Sequence, residues 1–237
     1  TSKGLSAFTI VGMANKTIDE SRERIRFALK NSDFKFPSDH LTINLAPASL
    51  QKTGSHLDLP IAVSILVHSG QILDQNVKDT AFIGELALDG KIRPIRGILN
   101  VVEQLAKRKI KQLIIPAGNH QQASLLQDKI KLIPVNNLRE LWQYLERGIS
   151  PKISTTDVVK NTETAYAYML DQIIGQAQAK RALTIAIAGR HNLLMSGPPG
   201  TGKSMLASTI PSLLPQPTQE EIIAVTKLYS LISDKQL

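Results

Sequence analysis

The stretch SGPPGTGKSMLA, residues 196–207, decides what the C-terminal part of this chain must be. Gly197, Pro198, Pro199, Gly200, Thr201, Gly202, Lys203 and Ser204 fill the pattern G-x-x-x-x-G-K-[ST]. Each fixed position has a physical task. Glycines let the backbone curl so that successive N–H groups face phosphate oxygens. The Lys203 ammonium reaches the β and γ phosphates, and the Ser204 hydroxyl is a ligand for Mg²⁺. A helix opening near Gly202 adds its positive N-terminal end. Ahead of the loop, Asn192-Leu193-Leu194-Met195 is a short apolar run that predicts a buried strand, and Met205-Leu206-Ala207 opens a helical pattern. Strand, glycine-rich loop and helix in that order predict an ATP-binding α/β domain with Mg²⁺ as its second cofactor.

Working outward, the second block of the chain is expected to run over residues 169–237. Ile173-Ile174-Gly175-Gln176 leads into a predicted helix, Ala177 to Ala188, just ahead of the loop. Residues 149–168, rich in Thr, Ser and Lys and without periodicity, read as a linker.

The first block, residues 1–148, alternates strands and helices. Ala7 to Val11 and Leu41 to Leu45 read as strands, and Ile18 to Leu29 as a surface helix with charges between its apolar positions. Leu57 to Val67 is an apolar helix. Phe82 to Leu88 and Lys91 to Ile95 flank Asp89-Gly90, a strong hairpin signal. Ile98 to Lys107 predicts a helix, and Gln112 to Ile115 a buried strand stopped by Pro116. Leu138 to Arg147 closes the block as a helix, with Asn137 as N-cap and Gly148 just past the end.

The chain has 237 residues, of which 42% are hydrophobic and 20% charged, as in globular proteins. No apolar run reaches membrane-spanning length and no N-terminal secretory pattern is present, so no membrane partner is expected. The chain opens at Thr1 and reads as a piece of a longer protein. It has no cysteine, which excludes disulfide and thiol chemistry and fits a cytoplasmic location. Its five histidines show no paired metal-ligand spacing.

The net charge of +8 leaves two readings open. Basic clusters can be solvated helix faces, or they can neutralise nucleic-acid phosphates. Lys107, Arg108, Lys109 and Lys111 form the best DNA-contact candidate. An aromatic share of 4% argues against a base-stacking platform.

The stretch from Asp171 to Ala207, "DQIIGQAQAKRAL…AGRHNLLMSGPPGTGKSMLA", resembles AAA+ ATPases of the Mg chelatase-like type. In that family an Ile-Gly-Gln element beside the adenine pocket precedes the phosphate loop; here it is Ile174-Gly175-Gln176. The first block resembles the N-terminal Lon-protease-like domain of the same proteins, through "GLSAFTIVGMANKTIDESRERIRFAL", "KTGSHLDLPIAVSIL" and "GELALDGKIRPIRG". The resemblance implies an α/β (α+β) chain: a Lon-like domain followed by the start of a P-loop AAA+ domain. It also implies a homo-oligomeric ring, a hexamer, that acts as an ATP-driven DNA motor or helicase on single-stranded or branched DNA. Branch migration during natural transformation is the activity it points to.

The resemblance implies two absences as well. AAA+ engines place their hydrolytic acid, sensors and arginine finger well downstream of the phosphate loop. No apolar run followed by Asp-Glu comes after Ser204, and Glu220 and Glu221 follow "PQPTQ" instead. In Lon peptidases the nucleophilic Ser follows Lys-Asp-Gly-Pro; here the segment is Lys52-Thr53-Gly54-Ser55, and His56 stands in the nucleophile's place. The activating Lys follows Pro-Ile-Gly-Gly-Leu; here Leu99 follows Pro94-Ile95-Arg96-Gly97-Ile98. A Ser55–Lys52 substitute pair lacks the family's spacing. His56 and Asp58 read better as a turn into the helix near Leu57 than as an acid–base pair. The block is therefore expected not to be a peptidase. DNA contact and ring assembly remain open to it, and metal insertion or protein remodelling is the alternative for the whole.

Overall fold

The structure is a computed structural model that describes residues 8–11, 16–46, 54–108, 110–151 and 168–232, with the side chains of 16–19 and 232 left aside. The chain divides into two compact units. One takes in Thr1–Thr155 and Ile222–Leu237, the other Thr156–Glu221.

The first unit runs β1 (Phe8–Val11), α1 (Lys16–Asn31), β2 (Leu41–Asn44), α2 (Asp58–His68), β3 (Thr80–Phe82), β4 (Glu85–Leu86), β5 (Ile92–Arg93), α3 (Ile98–Ala106), β6 (Gln112–Pro116), α4 (His120–Ala123), β7 (Lys131–Val135) and α5 (Leu138–Arg147). β3, β6 and β7 form a parallel sheet with β6 in the middle. β1 pairs in parallel with β2. Helices between parallel strands give the expected α/β class.

Alternation along β6 builds a core on each face of its sheet. Ile114 faces one cluster with Ile25, Leu29, Leu59, Leu66 and Leu141, from α1, α2 and α5. Leu113 and Ile115 face the other with Ile98, Leu99 and Val102 of α3. Strand β7 is not announced by the sequence, because Pro134 argues against a strand. The proline is tolerated because β7 lies at the sheet's edge.

The expected hairpin forms, with Glu85 opposite Arg93 and Leu86 opposite Ile92. The single strand expected from Phe82 to Leu88 does not. Phe82 ends β3, the Gly84 N–H donates to the His56 carbonyl at 3.1 Å, and the chain then enters the hairpin. Gly90 turns the hairpin at φ 82°, where a Cβ would also strike the Ser32 hydroxyl. Helix α5 forms as read. The Asn137 side-chain oxygen accepts the Glu140 N–H at 2.9 Å, and Gly148 ends the helix in the left-handed region.

The second unit contains α6 (Ala177–Ala188), α7 (Lys203–Ser208) and α8 (Ile210–Leu213). Leu183, Leu206 and Ile173 make its small core. The strand expected at Asn192–Met195 is absent. The segment has no regular structure and no strand partner, and Leu194 is 92% exposed. A strand needs a neighbour to take its backbone hydrogen bonds, and no strand is described elsewhere in this unit. A last helix, α9 (Gln219–Ile232), follows. From Ile222 onward it is grouped with the first unit, whereas sequence reasoning assigns that stretch to the ATPase block. There Ile223 joins the α3 core, Lys227 pairs with Glu103 at 2.7 Å, and the Gly97 N–H donates to the Ser230 carbonyl.

Candidate functional site

The phosphate loop sits at the surface between segment 192–195 and α7. Gly200 and Gly202 both have φ 82°, and a Cβ at either would meet nothing within 4 Å. The loop is therefore an open cradle whose shape depends on left-handed backbone. The Lys203 ammonium donates to the carbonyls of Gly197 at 2.8 Å and Pro198 at 2.6 Å, and to the Thr201 hydroxyl at 3.2 Å. The Thr201 hydroxyl donates to the Pro198 carbonyl at 2.9 Å, which ties off the loop. The cation is thus carried at the cradle's centre by its own loop.

Lys203 and Ser204 open α7, so their backbone N–H groups have no acceptor within the helix. No other described group takes them. The Ser204 hydroxyl is exposed beside them. A central cation, free amides and an exposed hydroxyl are the donor set that a phosphate chain with a divalent ion requires. The residues fit ATP and Mg²⁺.

The Ile174-Gly175-Gln176 element is brought to this loop. Gly175 and Gln176 both take positive φ, at 72° and 57°. That turn aims the Gln176 amide at the Thr201 carbonyl, to which it donates at 3.1 Å. Ile174 is 95% exposed, an apolar side chain offered to whatever binds beside the loop. Glu221 does not stand as a spare acid here. Glu221 accepts from the Thr218 N–H and hydroxyl at 2.9 and 3.0 Å and returns its own N–H to Thr218, a capping box that starts α9. Those bonds hold its carboxyl below the usual range.

In the first unit the residues singled out by the Lon likeness form a structural cluster. Asp58, the first residue of α2, is fully buried and accepts from the Arg24 guanidinium of α1 at 2.9 Å. Arg24 also donates to the buried Ser21 hydroxyl at 2.7 Å. Burial pushes the Asp58 carboxyl above its ordinary range, against the pull of Arg24, Ser21 and the Leu86 N–H. Burial holds the His56 imidazole below its ordinary value, with Asp58 pulling the other way. Ser55 donates its hydroxyl to Glu85, which also lies 3.8 Å from Arg93. Leu99 is fully buried in the α3 core, with no polar function to offer. Lys52 lies outside the described residues. The ion pair with Arg24 was invisible in the sequence because its members stand 34 residues apart.

The four expected DNA cations are not equivalent. α3 ends at Ala106, so Lys107 and Arg108 lie in the turn after it, both exposed. Lys111 is paired with Asp79 at 2.9 Å. Lys109 lies outside the described residues. No helix among the described residues is long and apolar enough to cross a membrane.

Comparison with known families gives two matches. Residues 1–119 match the family described as subunit ChlI of Mg-chelatase. Residues 169–237 match the one described as magnesium chelatase, subunit ChlI. Among curated proteins, the chain is 42% identical over 238 residues to competence protein ComM of Haemophilus influenzae, covering 99% of this chain and 46% of that protein. It is 38% identical over 233 residues to the uncharacterized protein YifB of Escherichia coli, covering 98% of this chain and 45% of that protein. It is also 38% identical over 95 residues to the archaeal Lon protease of Thermococcus kodakarensis, or 40% of this chain and 13% of that protein. The chain spans about half the length of the curated relatives it matches nearly end to end.

Proposed function

The chain belongs to the Mg-chelatase ChlI-like family of AAA+ proteins, and on that premise we propose that it is part of an ATP-driven ring motor that works on DNA. In this reading the motor is a homohexamer that promotes branch migration when transforming DNA is integrated. Two supports carry it. The likeness to a competence protein runs over 99% of the chain, and the phosphate loop holds Lys203 at its centre.

The chain's own residues divide the work. The backbone of 197–204 wraps the phosphates, Lys203 offsets their charge, and Ser204 offers a metal ligand. Ile174 and Gly175 flank the base end. ATP supplies the free energy of phosphoanhydride hydrolysis, with Mg²⁺ neutralising its charge. The first unit serves as a DNA-contact or assembly module rather than a peptidase, because a buried Leu99 and a turn-bound His56 cannot activate a nucleophile.

Metal insertion into a substrate is the second reading, favoured by the descriptions of both matching families. The experiment that separates them is ATP turnover by the whole protein with and without branched or single-stranded DNA, paired with a gel shift. Stimulation and a shift are expected. Turnover indifferent to DNA, with no shift, would favour the second reading.

A further inference from the structure

The chain holds five phenylalanines and one tryptophan. Sparse as they are, four of the phenylalanines and the tryptophan line two adjoining clefts of the first unit that share Phe34. The first, about 510 Å³, lies between the C-terminal half of α1 and the loop after it, and holds Phe8, Phe27 and Phe36. The second, about 480 Å³, lies between that loop and α5, and holds Trp142. Phe27 is 45% exposed at the mouth of the first cleft. Phe8, Phe34 and Phe36, by contrast, are partly buried against the core.

Cations accompany the rings. The Arg26 guanidinium carbon stands 5.9 Å from the Phe36 centroid, and that of Arg147 stands 4.8 Å from the Trp142 centroid. Arg26 and Arg147, with Lys30 beside them, have no ion-pair partner among the described residues, whereas Arg139 is taken by Asp33. Each cleft therefore offers an aromatic ring and a guanidinium seated over a ring; the second leaves Arg147 as a positive charge to spare, whereas in the first Glu23 and Asp39 stand among the lining with Arg26 and Lys30. Bases stack on aromatic faces and on guanidinium planes, while the accompanying charge meets phosphate. Duplex DNA keeps its bases stacked inside and cannot use the rings.

We infer that these two clefts form a binding track for a single strand of nucleic acid, with bases stacking at Phe27, Arg26–Phe36 and Arg147–Trp142. The inference rests on the DNA reading of the whole protein and assigns it a surface. It runs against the expectation, drawn from an aromatic share of 4%, that a base-stacking platform is absent. Composition counts rings, whereas the fold gathers residues from three separate segments into one face.

Trp142, the sole tryptophan, reports on the track directly. The experiment titrates the 237-residue protein with oligothymidylate of about ten nucleotides, within the range of known single-strand sites, and follows Trp142 fluorescence. A matched abasic oligonucleotide carries the same phosphates without bases. Quenching is expected with the first and a weaker response with the second. Phe27→Ala removes an exposed ring and leaves the core intact. It is expected to weaken oligothymidylate binding about five- to a hundredfold and to leave abasic binding unchanged. Arg26→Gln is expected to weaken both and to lower the salt slope by about 0.7.

If oligothymidylate binds and Phe27→Ala and Arg26→Gln bind it equally well, the track is refuted and the DNA reading survives. If the abasic strand binds as tightly as oligothymidylate, stacking is refuted. If the 237-residue protein binds no single strand while the whole protein does, the track is likewise refuted and DNA is held elsewhere. If neither binds, the DNA reading falls with it.

Discussion

Replacing Arg24 by Leu would strip the cation from a carboxylate that is fully buried. Asp58 accepts from Arg24 at 2.9 Å, with the Ser21 hydroxyl and, at a long 3.4 Å, the Leu86 N–H as its neutral partners. Breaking such a buried pair from one side costs about 3–5 kcal/mol, because the remaining charge has no solvent to turn to. Against a domain stability of about 5–15 kcal/mol, that loss moves the urea midpoint far down. The double variant Arg24→Leu/Asp58→Leu removes both charges. It leaves the Leu86 amide and the buried Ser21 hydroxyl without these partners, a cost of about 1–3 kcal/mol for each group left unsatisfied, and gains apolar burial in return. The double variant is therefore expected to be more stable than Arg24→Leu alone. Urea unfolding followed through Trp142 reports the first unit specifically, since the chain has no other tryptophan. Two outcomes would refute the reasoning. One is a loss below about 1 kcal/mol for Arg24→Leu, which is surface-bridge behaviour. The other is a double variant no better than the single one.

Lys203→Ala in the whole protein is expected to abolish ATP turnover, because a cation facing the developing phosphate charge is removed; a malachite-green phosphate assay with robust turnover would remove the loop from the site. Burial depresses the His56 pKa below its unfolded value of 6.5. The imidazole therefore contributes stability that is complete above 6.5 and lost as pH falls through the depressed folded value. Wild type should lose more urea midpoint on acidification than His56→Gln does, and parallel losses would contradict the shift. Converting Lys107, Arg108, Lys109 and Lys111 together to Gln should weaken duplex binding regardless of sequence. The salt slope should fall by about 0.9 for each duplex phosphate that is no longer neutralised, with Lys111 contributing least because Asp79 holds it. An unchanged slope would mark the cluster as a solvated face.

Local signals were legible and distant ones were not. The ends of α5 were readable because its start and stop lie in residues next to it, the Asn137 side-chain cap and the left-handed Gly148. Helix α6 spans the residues its apolar pattern marked, Ala177 to Ala188, although Gln176 provides no side-chain cap. The phosphate loop was legible because its chemistry is fixed by eight consecutive residues. Segment 192–195 misled because an apolar run says that a strand is possible, not that a partner is present. β7 was hidden by Pro134, whose missing N–H matters only in a strand paired on both sides. The Arg24–Asp58 pair and the aromatic clefts join residues far apart along the chain, and no local pattern announces them.

The unpaired segment at Asn192–Met195 has a colloidal consequence. No strand among the described residues pairs with it, Leu193 and Leu194 are exposed, and no charge stands within those four residues to discourage a second chain. An exposed, uncharged apolar segment without a strand partner is a template for another copy of itself, or for any extended apolar peptide. Turbidity of the purified 237-residue protein should therefore climb steeply with concentration, and a single Lys in place of Leu194 should keep concentrated solutions clear.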